Sequence, residues 1–216
     1  MIEEVRKKWN EYPELEKCHH FLFDYHVRPL VKNRNILFMG INPGEEKTDR
    51  TEFPEGKHEE SQYIYFRDHI PKNGRKWYEI IDKMIPKQFG VVQSELFFWS
   101  SPNINYLNKH IPDWKKGSLI DFCTKANKWL IKEYKFPLVI VTSVTYMNLV
   151  AKKYNLSFVD KIISKNTNRR LIERYSSENG ETWLFCLHPT GTHGLTNELK
   201  SEIFSNIKIE CNLLLN

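Results

Sequence analysis

The chain has 216 residues, of which 40% are hydrophobic and 13% aromatic, a composition typical of a globular protein with a full-sized core. No apolar run approaches membrane-spanning length, and the amino-terminal residues lack the apolar stretch of a signal peptide. We therefore expect an intracellular, cytoplasmic protein with no membrane association. The net charge of +5 favours a polyanionic partner only weakly, because many proteins that never bind nucleic acid carry as much.

The four cysteines are scattered, without the short paired spacing of a metal site. Cys123 and Cys186 fall within apolar patterns, which predicts that they are core thiols. A disulfide framework is not expected in an intracellular chain of this size. His19 and His20 adjoin Cys18, but a local cluster without a second half is more typical of a surface than of a metal site. The sequence therefore predicts neither a metal nor a cofactor.

In chain order, the first predicted elements are a helix and a buried strand. Residues 1–30 are interpreted as a helical extension that begins with an amphipathic helix over residues 2–10. Residues 35–40 are apolar without alternation, as in a strand buried on both faces of a parallel sheet. Residues 41–74 are polar and rich in turn-forming residues, and their length favours a functional role over that of an ordinary connection.

The rest of the chain alternates between helices and strands. Apolar residues at helical spacing from Trp77 to Met84 predict a helix that packs on the sheet. Asn179–Gly180 is a strong turn signal and predicts a β-hairpin near residues 170–187. The other predicted strands are at residues 95–99, 138–142 and 182–187, and the other helices are at residues 119–130, at 144–153 and from Asn197 onward.

Strands separated by helices predict an α/β fold. We expect a three-layer sandwich in which a central, mainly parallel four-stranded sheet is flanked by helices, with the β-hairpin near residues 170–187 added to it. A single domain over residues 1–216 is the simplest organisation for a chain of this length.

Two of the predicted strands end in a polar residue that lies beside a proline. Asn42 follows the first strand, between Gly40 and Pro43, and His188 follows the last strand, directly before Pro189. The carboxyl ends of parallel strands meet at one edge of the sheet, where open α/β sheets bind ligands. The fold is therefore expected to bring Asn42 and His188 to one site.

These two segments resemble the uracil-DNA glycosylase superfamily, which carries a Gly-x-Asp/Asn-Pro motif after its first strand and a His-Pro-Ser/Thr motif after its last. The Asn form followed by Gly44 is most similar to the mismatch-specific (thymine/uracil) and single-strand-selective branches. The likeness covers roughly residues 35–205 in order, interrupted by an apparent insertion at about residues 56–74. It includes Thr51–Pro54, Arg75–Ile81 and Glu95–Asn103.

The resemblance implies a monofunctional DNA glycosylase, which flips a damaged, mispaired or modified base and hydrolyses its N-glycosidic bond. Such an enzyme acts in base excision repair or attacks modified DNA. By resemblance, Asn42 would hold the attacking water through its side-chain carbonyl, and His188 would donate a hydrogen bond to the departing base. The implied partner is DNA, for a monomer that is cytoplasmic and associated with the nucleoid.

The resemblance also implies a set of base and DNA contacts. Gly44 stands where the strict uracil branch has a bulky aromatic residue, so it would open the pocket to larger bases. Thr192 or His193 would be the wedge that enters the helix. The implied contact residues are Gly40, Ile41, Pro43, Gly44, Phe53, Ser101, Asn103, Thr190, Thr192 and His193.

Each assignment has a structural alternative. Asn42 could hydrogen-bond its own turn, and His188 could be a structural histidine at a strand end. Phe53 is a candidate to stack on the flipped base, but it could equally be a core residue. Tyr63, Tyr65 and Phe66 compete with Phe53 for the stacking role.

Base reading and base catalysis have alternatives as well. Uracil-reading members carry an asparagine in the second-strand loop, where this chain has Ser100–Asn103. Either Asn103 supplies that contact in a shifted register, or the base is read differently. One of Glu45, Glu46 and Asp49 could supply the general base that an amide cannot.

The basic pairs of the chain could bind phosphates or could lie on a solvated face; they are Lys115–Lys116, Lys152–Lys153 and Arg169–Arg170. An alternative function is a non-catalytic nucleic-acid-binding protein on the same fold. A small-molecule binder ranks last, because the chain has no phosphate-loop or dinucleotide glycine motif.

Overall fold

The computed structural model of the protein describes residues 1–18, 20–44, 57–58, 79–189 and 195–215. The strands are β1 (His20–Phe21), β2 (Tyr25–Arg28), β3 (Asn35–Gly40), β4 (Lys57–His58), β5 (Gly90–Glu95), β6 (Leu138–Val141), β7 (Ser157–Ile163), β8 (Arg170–Ser176) and β9 (Thr182–Cys186). The helices are α1 (Ile2–Glu11), α2 (described over residues 79–84), α3 (Ile104–His110), α4 (Ser118–Tyr134), α5 (Met147–Tyr154) and α6 (Asn197–Leu213), with a 3-10 segment at Pro13–Lys17.

Seven strands form one mixed sheet in the order β2-β5-β3-β6-β9-β8-β7. The central strands β5, β3, β6 and β9 are each parallel to their neighbours in that group. Strand β2 pairs antiparallel with β5 on one side, and β8 and β7 continue the sheet antiparallel beyond β9. Strands β1 and β4 form a separate parallel pair. The α/β class is therefore confirmed, and the sheet contains the expected parallel centre.

The expected size of the sheet is wrong, because three antiparallel strands extend the four central ones. Strand β7 is largely exposed, with Asp160 and Lys161 at its middle, so it lacks the apolar run that identified the buried strands. Strand β8 was expected, and its antiparallel pairing with β9 confirms the predicted hairpin. Gly180, in the turn between β8 and β9, has a φ of 91°, a conformation that glycine adopts without strain.

The interpretation of residues 1–30 as a helical extension is also wrong. Residues 25–28 form strand β2 of the main sheet, and Val5 of α1 is fully buried in the core. The second buried strand lies at Gly90–Glu95 rather than at residues 95–99. The apolar run after Glu95 misled the prediction, because its residues are also buried although they lie beyond the strand.

The core lies on both faces of the sheet, between the sheet and the helices that cover each face. The fold therefore has three layers. On β3, Leu37 and Met39 face a cluster that includes residues of α4 and α5. Ile36 and Phe38 face a second cluster, which includes residues of α2 and α6. This alternation explains why β3 has no polar side: both faces are covered by helices.

All four cysteines are buried, and none forms a disulfide. Burial raises the pKa of the Cys186 thiol to about 12, so this side chain is a protonated core group at neutral pH. The prediction that Cys123 and Cys186 are core thiols is confirmed. Among the helices that the structure describes, none is both long and apolar enough to cross a membrane.

A buried polar bridge joins α4 to the end of β5. Asn127 is fully buried. Its Oδ1 accepts a hydrogen bond from Ser94 Oγ at 2.7 Å, and its Nδ2 donates to the carbonyl oxygen of Glu95 at 2.8 Å. This amide therefore fixes the position at which β5 ends.

Asn127→Ala should lower the free energy of unfolding by about 1–3 kcal/mol, because it leaves buried polar groups of Ser94 and Glu95 without this partner. Lys125→Ala is the control, since Lys125 is an exposed residue of the same helix. Urea unfolding followed by circular dichroism measures both. Equal stabilities for the two variants would contradict the importance of the bridge.

Candidate active site

Four polar residues lie at the carboxyl ends of four neighbouring parallel strands. Glu95 ends β5, Asn42 follows β3, Thr142 follows β6, and His188 follows β9. Because adjacent strands are about 4.8 Å apart, the ends of β3 and β9 are separated by roughly 10 Å, with β6 between them. The fold therefore brings Asn42 and His188 to the same edge of the sheet, where α/β proteins bind ligands.

The side-chain amide of Asn42 is anchored through its nitrogen. Nδ2 donates hydrogen bonds to the carbonyl oxygen of Pro43 at 3.0 Å and to Ser101 Oγ at 2.8 Å. Ser101 Oγ in turn donates its own hydrogen to the carbonyl oxygen of Asn103 at 3.0 Å, so it can only accept from Asn42. Both neighbours of Nδ2 are acceptors, which fixes the orientation of the amide.

This anchoring leaves the carbonyl Oδ1 of Asn42 directed away from Pro43 and Ser101. No hydrogen bond to Oδ1 is present within the part of the chain that the structure describes. The turn-capping alternative accounts for the bond to Pro43, but not for the bond to Ser101, which lies on another segment. Asn42 is therefore a half-buried amide held with its acceptor oxygen outward.

The segment that carries Asn42 is held against the segment that follows β5. The Leu96 and Phe97 amides donate to the carbonyl oxygens of Gly40 and Ile41 at 3.0 and 2.8 Å. The Ser101 amide donates to the carbonyl oxygen of Pro43 at 3.0 Å.

Gly44 then pairs with Ser101 in an isolated bridge. Gly44 is exposed, and an added Cβ would meet no described atom within 4 Å. The predicted site residues Gly40, Ile41, Pro43, Gly44 and Ser101 thus belong to one backbone-linked unit.

Asn103 has a local structural role. It is the N-cap of α3, where its Oδ1 accepts a hydrogen bond from the Tyr106 amide at 2.9 Å. Its carbonyl oxygen also accepts from Ser101 Oγ. Of the side-chain amide of Asn103, only the nitrogen Nδ2 is left for a ligand. This weakens the interpretation that Asn103 reads the base in a shifted register.

His188 is half-buried at the end of β9. Burial lowers its pKa below the ordinary value of 6.5, because the charged imidazolium is poorly solvated there. The ring is therefore neutral at pH 7. A neutral imidazole has one N–H donor and one acceptor nitrogen, and is able to donate one hydrogen bond.

Glu95 was not predicted as a site residue. In the structure it is only 3% exposed. It lies opposite Gly40 in the register of β5 and β3, and its Oε1 accepts from Gln93 Nε2 at 3.1 Å. A Cβ added to Gly40 would lie 2.0 Å from Glu95 Oε2. The φ of Gly40 is not in the left-handed region, so this position requires glycine for close approach rather than for a turn.

Thr142, the last residue of the strand predicted at 138–142, was not predicted as a site residue. Its side chain is 1% exposed, and Oγ1 has no hydrogen-bond partner among the described residues. Its backbone amide donates to the carbonyl oxygen of Met39 at 3.1 Å, which ties the end of β6 to β3. The sequence signal for Thr142 was a polar residue directly after a buried apolar run, whereas Glu95 follows the polar residues Gln93 and Ser94 and had no such signal.

Several predicted residues lie outside the described residues. These are Phe53, Thr190, Thr192 and His193, the stacking candidates Tyr63, Tyr65 and Phe66, the carboxylates Glu45, Glu46 and Asp49, the motif Thr51–Pro54, Trp77 and, except for residues 57–58, the insertion at 56–74. His19 is outside as well. Among the residues whose positions are described, no group of three or more His, Cys, Asp or Glu side chains is arranged to hold a metal ion.

No protein-family model matches this chain, and no curated protein sequence matches it. The family resemblance noted in the sequence therefore remains a hypothesis, and the functional argument depends on the geometry of the site.

Gly40→Ala should destabilise the protein by about 1–3 kcal/mol, because its methyl group would overlap the buried Glu95 carboxylate. Gly44→Ala is the matched control, since the space around Gly44 is open to a methyl group. Thermal unfolding of both variants measures the difference. A Gly40→Ala protein as stable as Gly44→Ala would show that Glu95 has no fixed position at this edge.

Proposed function

We propose that this protein is a monofunctional DNA glycosylase, which flips a damaged, mispaired or modified base and hydrolyses its N-glycosidic bond. The observation that carries the proposal is the anchored amide of Asn42. Its nitrogen is held by Pro43 and Ser101 at 3.0 and 2.8 Å, and its carbonyl oxygen has no described partner. Such a carbonyl accepts a hydrogen bond from a water molecule and holds that water in one place.

In the proposed reaction, the bond between the sugar and the base breaks and its electron pair goes to the base. The sugar becomes cationic at the carbon that loses the base, and the water held by Asn42 adds to that carbon. An amide is a poor base, so Asn42 would act by positioning the water rather than by removing its proton. The water loses a proton to solvent as its oxygen bonds to the sugar, and the departing base anion takes up a proton from solvent. The products are therefore a neutral free base and an abasic site.

His188 would stabilise the negative charge that develops on the departing base. Since burial lowers its pKa, His188 is neutral at pH 7 and would use its one N–H as the donor. A hydrogen-bond donor that is already oriented, in a poorly hydrated site, is most effective at stabilising negative charge that appears only in the transition state.

A cleavage panel tests this proposal. The purified protein is incubated with oligonucleotides that carry uracil, mispaired thymine, hypoxanthine or a 5-modified pyrimidine, each in single- and double-stranded form. Alkali then breaks the strand at any abasic site. Strand breaks at the altered base are the expected result, and an uncut panel from a protein that binds DNA would favour the non-catalytic alternative.

Asn42→Ala and His188→Ala should each lower the single-turnover rate of excision by on the order of 10²-fold or more. Binding to the abasic product should change much less, because neither residue is proposed to hold the DNA backbone. Asn212→Ala is the control, since Asn212 is an exposed residue on α6. Variants at Asn42 and His188 that excise as fast as this control would remove the chemical basis of the proposal.

Gly44→Tyr should narrow the range of excised bases. Gly44 is exposed and has room for a side chain, and the wild-type protein is expected to accept at least one base other than uracil. A ring at this position would exclude larger bases by steric overlap, whereas Gly44→Ala should leave the range unchanged. Excision rates across the panel measure the effect. Excision of uracil alone by the wild-type protein, with no change in Gly44→Tyr, would contradict an open pocket.

A further inference from the structure

The fold separates the three basic pairs of the sequence into two locations. Lys115–Lys116 and Arg169–Arg170 lie on segments at the carboxyl edge of the sheet, where Asn42 and His188 lie. Lys152–Lys153 lies in the last turn of α5, which leads into β7 at the opposite edge. Sequence position alone gave no way to distinguish the three pairs.

Lys115 is held in place by two aromatic rings. Its Nζ lies 5.3 Å from the centre of the Trp114 ring and 5.2 Å from the centre of the Tyr146 ring. Tyr146 follows closely on Val141, the last residue of β6, so this ammonium group lies near the end of the central strand. Lys116 forms an exposed pair with Asp113 at 3.3 Å, a contact too weak to keep it from a stronger anion.

Arg169 and Arg170 lie on the other side of β9. Strand β8 begins at Arg170, and its Ile172 pairs with Cys186 at the end of β9. Extending this antiparallel register by two residues brings Arg170 opposite His188. Arg170 pairs with Glu173, but its side chain is 46% exposed and a guanidinium has five N–H donors, so it has capacity for a second acceptor.

The turn before Arg169 is anchored to the body of the protein. Ser164 is 3% exposed. Its Oγ donates to Glu202 of α6 at 2.9 Å and accepts from the Asn166 amide at 3.3 Å. The Ser164 amide donates to the carbonyl oxygen of Arg169 at 2.8 Å. Arg169 and Arg170 are therefore presented from a fixed position.

We infer that Lys115–Lys116 and Arg169–Arg170 bind the phosphate backbone of DNA on either side of His188. The inference rests on the proposed function for the identity of the polyanion. Strands β6 and β8 flank β9, so the two pairs approach the edge from both sides of the strand that carries His188. Lys152–Lys153, by contrast, belongs to the last turn of α5, and the charge of Lys153 is offset by Asp121 in the first turn of α4.

Three double variants test the inference: Lys115→Ala with Lys116→Ala, Arg169→Ala with Arg170→Ala, and Lys152→Ala with Lys153→Ala as the matched control. Fluorescence anisotropy measures their affinity for an unmodified DNA duplex over a range of salt concentrations. The Lys115–Lys116 and Arg169–Arg170 double variants are the carboxyl-edge double variants. Each should bind DNA roughly tenfold more weakly near 0.1 M salt, and should reduce the slope of log affinity against log salt by about 1 to 2. The control should bind like the wild type. Circular dichroism checks that each variant is folded.

Wild-type affinity in both carboxyl-edge doubles, or an equal loss in the Lys152–Lys153 double, would overturn the inference. Tighter binding of an RNA of the same sequence would overturn DNA as the partner. The outcome is separable from that of the proposed function. If the wild-type protein excises a base and the double variants still bind DNA normally, the glycosylase proposal stands and the phosphate-binding inference fails. If the carboxyl-edge double variants lose salt-dependent DNA binding but no base is excised, the phosphate-binding inference stands and the glycosylase proposal fails.

Discussion

The parallel pairing of β5, β3, β6 and β9 is the constraint on which the proposed site depends. Parallel strands have their carboxyl ends at the same edge of the sheet. This pairing therefore brings polar residues that are distant in sequence together at that edge. Burial of both faces of these strands stabilises the arrangement. It also excludes polar side chains from most strand positions, because an unpaired polar group in the core is costly. Polar chemistry is therefore concentrated where the strands end.

Part of this arrangement was predictable from the sequence. Strand β3 was predicted with the correct boundaries, because an apolar run without alternation is typical of a central parallel strand. The hairpin of β8 and β9 followed from Asn179–Gly180, since the turn requires a glycine at positive φ. Asn42 and His188 were found because each follows a buried strand and precedes a proline.

Other features depend on tertiary contacts that a single sequence does not reveal. The antiparallel edge strands β2 and β7 are only partly buried, so their patterns are weak. The apolar residues after Glu95 are buried beyond the strand, which displaced the predicted position of β5. Asn103 was interpreted as a base contact, yet its Oδ1 caps α3. Glu95 escaped notice because its burial against Gly40 depends on the register of two strands.

Thr142 and Glu95 are polar residues buried at this edge of the sheet. A hydroxyl with no partner in the described part of the chain and a carboxylate that is 3% exposed are both expensive to bury. In the proposed reaction, the oriented amide of Asn42 would supply the acceptor for the water, and the neutral ring of His188 would supply the donor for the base.

The most direct test of the central claim is mass spectrometry of a single-turnover reaction between the wild-type protein and oligonucleotides that carry altered bases. The account predicts a free base together with a DNA strand that has lost only that base and has gained the elements of water, with its phosphodiester backbone intact. DNA recovered unchanged from every oligonucleotide, by a protein that demonstrably binds it, would contradict the account.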